Sequence, residues 1–214
     1  VLCSGRGSNL QALIDAAATG SLPVDIRAVV SDRPHCYALE RARLVGIPTR
    51  VLRPRDHADR AGFDHALFAE VARFDPRLVV FAGYMRIVDD AAINQWRGPM
   101  INIHPSLLPK YPGLHTHERA LDAGDAMHGS SVHFVTAELD GGPLIAQARL
   151  PVERNDTPAS LAARLLPVEH RLLVASAGLF AAGKVMLENN RVVYDGQVLA
   201  TPLILGANDQ FDRS

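Results

Sequence analysis

Two polar residues stand at alternate positions of an otherwise apolar run, Met100-Ile101-Asn102-Ile103-His104. Successive side chains of a strand face opposite ways, so Asn102 and His104 share one face and Ile101 and Ile103 the other. Pro105 ends the ladder, because it has no N–H to donate and its φ is fixed. Pro109, Pro112 and Gly113 keep the next dozen residues out of helix and strand. An amide and an imidazole are thus set side by side where the chain leaves a sheet, and ligand crevices of open α/β sheets lie at such strand ends. An isolated Asn-x-His also fits a polar strand end with a satisfied histidine. The stiff, proline-rich exit favours a positioned loop. The amide offers both a donor and an acceptor, and the imidazole can move a proton at neutral pH.

A second candidate is Gly5-Arg6-Gly7-Ser8-Asn9, which comes after the short apolar stretch Val1-Leu2-Cys3 and precedes Leu10, Leu13, Ile14 and Ala17 at helical spacing. Strand, glycine turn and helix N-terminus together suit an anion, since free N–H groups and the helix dipole both face it. Ser8 is the expected N-cap. A tight turn without ligand would use the same glycines. A dinucleotide site fits less well, because Leu10 stands where a third glycine belongs, and Asp32 in Ser31-Asp32-Arg33-Pro34 reads as a turn residue. His104, His115, His117 and His133 invite a metal reading. Zinc sites add Cys or acids at short spacing, Cys3 and Cys36 lie far off, and no metal is expected. Serine catalysis lacks the strained Gly-x-Ser-x-Gly elbow.

These residues need a scaffold. Strand and helix alternate up to Ile103: a strand ending at Ser4, a helix to Gly20, a strand over 26–31, a helix over 37–45, a strand over 48–52, a polar loop from Arg53 to Arg60, a helix from there to Phe74, and an apolar strand over 78–82. That alternation implies a parallel sheet with right-handed crossovers. From Gly129 the pattern becomes antiparallel, with Ser131, His133 and Val135 opposed to Val132 and Phe134, then a loop over 136–143 and a strand over 144–152. Asp156, Thr157 and Pro158 open a long helix that Pro167 should kink or interrupt. Segments 184–187 and 191–194 around Asn189-Asn190 read as a hairpin, and the tail after Thr201 carries no signal. The expected fold is an α/β, Rossmann-like open twisted sheet, mostly parallel in the N-terminal half and antiparallel in the C-terminal half, with helices on both faces. It forms a single domain over 1–214, with a phosphate-binding half (1–103) and a catalytic half (104–214).

A chain of 214 residues has ample length for a core, and its 48% hydrophobic and 21% charged content is ordinary for a soluble protein. The formal net charge of −1 advertises no nucleic acid partner. Two cysteines make no disulfide framework, so a reducing, cytoplasmic compartment is expected. No apolar run approaches the ~20 residues of a membrane span, and no signal-peptide pattern opens the chain. Because the chain begins inside an expected strand, a few residues upstream are expected.

The segment Asn102-Ile103-His104-Pro105-Ser106-Leu107-Leu108-Pro109 resembles the signature of the folate-dependent formyltransferases. Its continuation through Lys110-Tyr111-Pro112-Gly113-Leu114-His115-Thr116-His117 is similar to the branch that acts on glycinamide ribonucleotide. The resemblance covers about Val1 to Tyr194, with four separated motifs in order. Ser4-Gly5-Arg6-Gly7-Ser8-Asn9 resembles the substrate-phosphate loop, with Arg6 where the family usually has Asn; this gives Gly7, Ser8 and Asn9 a phosphate role. Gly83-Tyr84-Met85-Arg86-Ile87-Val88 resembles the lining of the pteridine pocket, and Arg60 would lie near the folate's glutamate or the substrate. The loop Thr136-Ala137-Glu138-Leu139-Asp140-Gly141-Gly142-Pro143 resembles the catalytic aspartate loop. Glu169-His170 resembles the pair whose glutamate holds the ribose hydroxyls, although Leu166-Pro167 departs from the family there.

The resemblance implies formyl transfer from 10-formyltetrahydrofolate, as co-substrate, to glycinamide ribonucleotide in de novo purine biosynthesis. It leaves a homodimer open. Such transfer needs a neutral amine, a stabiliser for the oxyanion and an acid for the leaving nitrogen. Asn102 would donate to the oxyanion and His104 would shuttle the proton. Asp140 would raise the His104 pKa past 7, since a unit pair at ~4 Å and a dielectric of ~20 interacts by ~4 kcal/mol before desolvation opposes it. Methionyl-tRNA formyltransferases add a C-terminal nucleic-acid-binding domain, which is not expected here; formyltetrahydrofolate deformylases carry an extra N-terminal regulatory domain and give the formyl group to water. A non-catalytic phosphate- or nucleotide-binding module on the same sheet is the alternative of another class.

Overall fold

The computed structural model describes residues 1–96 and 98–212, and the chain divides into two compact units, Val1–Ile101 and Asn102–Ser214. The first unit alternates as its sequence implies. Strands β1 (Leu2–Cys3), β2 (Val29–Ser31), β3 (Thr49–Val51) and β4 (Val79–Phe81) pair in parallel in the order β4-β1-β2-β3. Helices α1 (Ser8–Ala18), α2 (Tyr37–Leu44) and α3 (Arg60–Ala72) are the crossovers, and a short α4 (Asp90–Gln95) comes after β4. Leu10, Leu13 and Ile14 are the buried face of α1, and Leu10 and Ile14 pack with Cys3, Val29, Ala38, Leu39 and Ala42. The cap of α1 is Gly7 at φ +73°; Ser8 is the first helical residue and makes no side-chain cap, contrary to the expectation for it. The left-handed turn already points the chain into the helix, and a Cβ at Gly7 would sit 2.6 Å from that of Ala38, so α2 approaches the turn too closely for any other residue.

β5 (Met100–His104) spans the boundary between the units and ends immediately before Pro105. In the second unit, α5 (Thr116–Asp122) is followed by the long antiparallel pair β6 (Met127–Phe134) and β7 (Leu144–Pro151). α6 (Pro158–Ala181) packs on both strands. β8 (Val185–Glu188), β9 (Arg191–Tyr194) and β10 (Gln197–Val198) form a small antiparallel sheet of their own. Asn189 and Asn190 both take positive φ, as a two-residue hairpin turn requires. The tail, which carries no sequence signal, adds β11 (Leu203–Leu205), parallel to β7, and β12 (Phe211–Asp212), antiparallel to β11. Strands of two or three residues are too short to show an alternation of their own.

α6 overturns one half of the expectation for Pro167: the proline does not interrupt the helix, which is continuous from Pro158 to Ala181. An interior proline costs ~3 kcal/mol. Leu161, Leu165, Leu172 and Leu173 are fully buried on the same helix, each contributing ~1.5–3 kcal/mol, and Pro167 itself lies on the exposed side. Packing therefore outweighs propensity.

Candidate active site

The second unit gathers the expected catalytic side chains. β5 presents Asn102 and His104 from one face. Asp140 comes from the loop between β6 and β7, where its φ of +51° is a conformation that Asp tolerates better than most residues. His104 Nδ1 lies 3.3 Å from Asp140 Oδ2, and both side chains are less than a tenth exposed. Asn102 Nδ2 lies 3.4 Å from Asp140 Oδ1. The Gly113 N–H donates to Asp140 Oδ2 at 2.8 Å, which ties the proline-rich loop to the aspartate loop. Gly142 makes that loop geometry obligatory, because a Cβ there would lie 1.8 Å from the Phe134 carbonyl oxygen.

Sequence reasoning missed His133 as a member of this cluster. It projects from β6, buried, with Nε2 3.6 Å from Asp140 Oδ1 and 3.1 Å from Asn102 Nδ2. Its Nδ1–H donates to the Phe134 carbonyl at 2.8 Å, so in the neutral ring Nε2 is the acceptor for the Asn102 amide. The signal was its alternation with Val132 and Phe134, which put it on the same face as Ser131. The amide of Asn102 thereby turns its N–H groups toward His133 and Asp140. In the resting protein both amide N–H groups are thus engaged within the cluster, and donation to an oxyanion requires that one of them be released.

His104 Nε2 lies 2.8 Å from the Tyr111 carbonyl. Either neutral tautomer leaves one ring nitrogen facing an oxygen without a proton between them, and only the cation satisfies both sides. Burial nevertheless opposes the charge more strongly than the Tyr111 carbonyl and Asp140 support it, with His133 and Arg119 adding repulsion. The His104 pKa is held below its ordinary 6.5. This overturns the expected rise past 7, because the cost of removing an imidazolium from water exceeds the Coulombic gain from one carboxylate. For Asp140 the balance runs the other way. Burial raises its pKa, but the neighbouring His133 ring, the Gly113 N–H and the His104 imidazole together hold the carboxyl below the usual range.

Side chains of β6 and β7 fix the proline-rich loop. Ser130 Oγ donates to the His104 carbonyl (2.8 Å), Ser131 Oγ to that of Ser106 (2.7 Å), and Gln147 Nε2 to that of Leu108 (2.8 Å). All three donors are buried. The remaining histidines serve elsewhere: His117 Nδ1 meets His128 Nε2 at 3.0 Å, and His115 faces Glu118. Among the described residues, no three His, Cys, Asp or Glu side chains are arranged to hold a metal ion.

The other expected site residues occupy their own elements. In the first unit, Gly7, Ser8 and Asn9 form the turn and first residues of α1, and the Ala38 N–H closes on the Gly5 carbonyl. Arg60 opens α3, is half exposed and pairs with Asp89 at 3.5 Å. Met85 and Ile87 are exposed at 62% and 52%, whereas Val88 is buried. The Arg86 guanidinium turns inward over the Phe63 ring, 5.1 Å from its centre. In the second unit, Ala137, Glu138 and Leu139 are exposed, Thr136 is half-buried beside them, and Glu169 lies half-buried on α6.

A Rossmann-like α/β sheet that brings an asparagine, a histidine and an aspartate together at a strand end suits an enzyme that works by proton transfer. The family model described as formyl transferase matches residues 1–177, and the chain belongs to that family. It is 47% identical to the phosphoribosylglycinamide formyltransferase of Escherichia coli (strain K12), over 93% of this chain and 94% of that protein. The phosphoribosylglycinamide formyltransferase of Coxiella burnetii superposes with a TM-score of 0.89 at 48% identity, covering 93% of each chain. A formyltetrahydrofolate deformylase from Pseudomonas putida is more distant, at 29% identity and a TM-score of 0.79, and the match covers 90% of this chain but 68% of that one.

Proposed function

We propose that the chain transfers the formyl group of 10-formyltetrahydrofolate to the amine of glycinamide ribonucleotide, giving formylglycinamide ribonucleotide and tetrahydrofolate for purine biosynthesis. The observation that carries this reading is the meeting of Asn102, His104 and Asp140 in one buried cluster, in a chain of this family. His104 rests neutral. The substrate amine, oriented by Asn102 Oδ1, attacks the formyl carbon; the new C–N bond forms and the carbonyl pair moves onto oxygen. The attacking nitrogen passes its proton to His104. Asp140 steadies the resulting imidazolium through its Nδ1–H, which leaves the Nε2–H to face the oxyanion and then the leaving nitrogen. The C–N10 bond then breaks as His104 returns that proton to N10. The Tyr111 carbonyl holds His104 Nε2 in the resting protein, so the reacting groups have to displace it.

Gly7, Ser8 and Asn9 hold the substrate phosphate, and Glu169 its ribose hydroxyls. Arg60, Met85, Arg86, Ile87 and Val88, with Asn102 and the loop Thr136, Ala137, Glu138, Leu139 and Asp140, take the folate. No step calls for a metal. The family match runs across the boundary between the two units, which supports a single formyltransferase domain over 1–214. Two free cysteines fit a cytoplasmic enzyme of small metabolites, and among the described residues no helix is long and apolar enough to cross a membrane.

Turnover of 10-formyltetrahydrofolate with and without glycinamide ribonucleotide tests the reading. Formylated ribonucleotide is expected, with little formate released when the acceptor is omitted. Formate release that is independent of the acceptor would make the chain a deformylase.

A further inference from the structure

The segment from Met85 to Asp89 is pinned at both ends by buried side chains of the first unit. At its start, the Met85 N–H donates to Ser4 Oγ at 3.0 Å, and the Ser4 hydroxyl donates onward to Asp32 Oδ1 at 2.6 Å. At its end, the Asp89 N–H donates to Asp64 Oδ2 at 2.7 Å. Ser4, Asp32 and Asp64 are exposed by 1%, 7% and 0%, so the acceptors at both ends are out of water. In between, Arg86 folds its guanidinium back over Phe63, the neighbour of Asp64 on α3. Met85 and Ile87 are left standing outward.

Asp64 is costly to keep. Its Oδ1 has no hydrogen-bond partner, and burial pushes its pKa up against the Asp89 N–H and the charges of Arg86 and Arg60. A buried carboxylate with an unmade bond is a poor source of stability; an apolar residue of similar volume would serve the core as well or better. Three ties converging on one short stretch are what a preorganised binding surface needs, because a stretch already ordered loses less entropy when its ligand arrives.

We infer that Asp64, together with the Ser4–Asp32 pair, is a positioning device that holds residues 85–88 as a preformed platform for the flat heterocycle of the folate. This rests on the folate reading of that segment. None of the three acts on the reacting atoms. Ser4 also precedes the Gly5–Asn9 turn, and its own N–H donates to the Gly83 carbonyl at 3.0 Å, so this one residue fastens the platform to the end of β1.

Steady-state kinetics of the whole chain, with each substrate varied in turn, tests the inference, and urea melts report folding. Asp64→Ala and Ser4→Ala are each expected to raise KM for 10-formyltetrahydrofolate about tenfold, with kcat and KM for glycinamide ribonucleotide within about threefold. Asp64→Asn keeps an acceptor for the Asp89 N–H and is expected to recover most of the loss; if Asp64→Ala does not fold, Ser4→Ala decides the matter at the other end of the segment. The double variant Met85→Ala/Ile87→Ala monitors the platform itself. If it raises the folate KM while the Asp64 and Ser4 variants leave that KM unchanged, or move both KM values alike, positioning is overturned and the folate reading stands. If the double variant leaves the folate KM untouched, the folate reading of the segment fails and the inference goes with it.

Discussion

His104 owes its state to burial more than to its partner. A carboxylate 3.3 Å away draws a proton toward the ring, yet the desolvated site keeps the pKa under 6.5. The resting imidazole is a base at pH 7, ready to take the proton that the attacking amine sheds. His104→Ala is expected to lower kcat by ~10²–10⁴ while KM for both substrates stays within a few-fold; near-normal turnover would remove His104 from the mechanism. The neutral ring is the working form, and this sets the sign of the pH dependence. The value of kcat/KM should rise from acid through an apparent pKa below 6.5 and then level off across neutrality, a pKa belonging to the coupled His104–Asp140 pair. Asp140 raises the His104 pKa, so in Asp140→Asn the residual activity should show its acid limb at lower pH. A limb that stays in place or moves upward would contradict the assignment. At this scale the sequence named the three residues and missed the fourth, His133, because its distance to Asp140 depends on how β6 and the loop after it return on each other.

Elements place these groups, and their local chemistry was legible where backbone sterics act over a few residues. Pro105 ends β5, Asn189-Asn190 closes a hairpin, and Gly141-Gly142 shapes the Asp140 loop, as the residue types require. Gly142 is the sharpest case, since any side chain would meet the Phe134 carbonyl. Gly142→Ala is expected to cost about 3 kcal/mol of stability. It should also lower kcat by ~10²-fold, since an ångström's displacement of Asp140 suffices for that. A urea melt and one rate measurement check both, and an Ala variant with wild-type kcat would show that the loop tolerates the shift. Pro167 and Ser8 depart from their sequence reading for the opposite reason. Their intrinsic preferences are overruled by contacts with partners distant in the chain: buried leucines around α6, and α2 pressed against the Gly7 turn. β11 was invisible because three residues paired with β7 carry no period of their own.

For the molecule as a whole, buried neutral histidines link stability to pH. Burial, with repulsion from His117, lowers the His128 pKa from 6.5 to about 4, and burial also lowers that of His117. Unfolded, these side chains take protons near pH 6.5. Folded, His128 does not until about pH 4, so in that window the unfolded state binds more protons and stability falls as pH falls. His128 alone accounts for roughly 3 kcal/mol lost between neutrality and pH 4. Urea midpoints should therefore drop clearly from pH 7 to pH 5, and His128→Gln should flatten the drop; equal midpoints at the two pH values would refute this.

The sequence by itself determined the alternation of strand and helix as far as β4, the strand end that carries Asn102 and His104, and the turn that carries Asp140. Those features arise from side-chain alternation, proline and glycine sterics, and hydrophobic spacing, all of which act between near neighbours. Only the tertiary structure decided which way the amide of Asn102 faces, that His133 joins the cluster, and that His104 rests uncharged. Each is a balance of burial against hydrogen bonds from β6, the proline-rich loop and the Asp140 loop, and that balance exists only once those segments have removed the site from water.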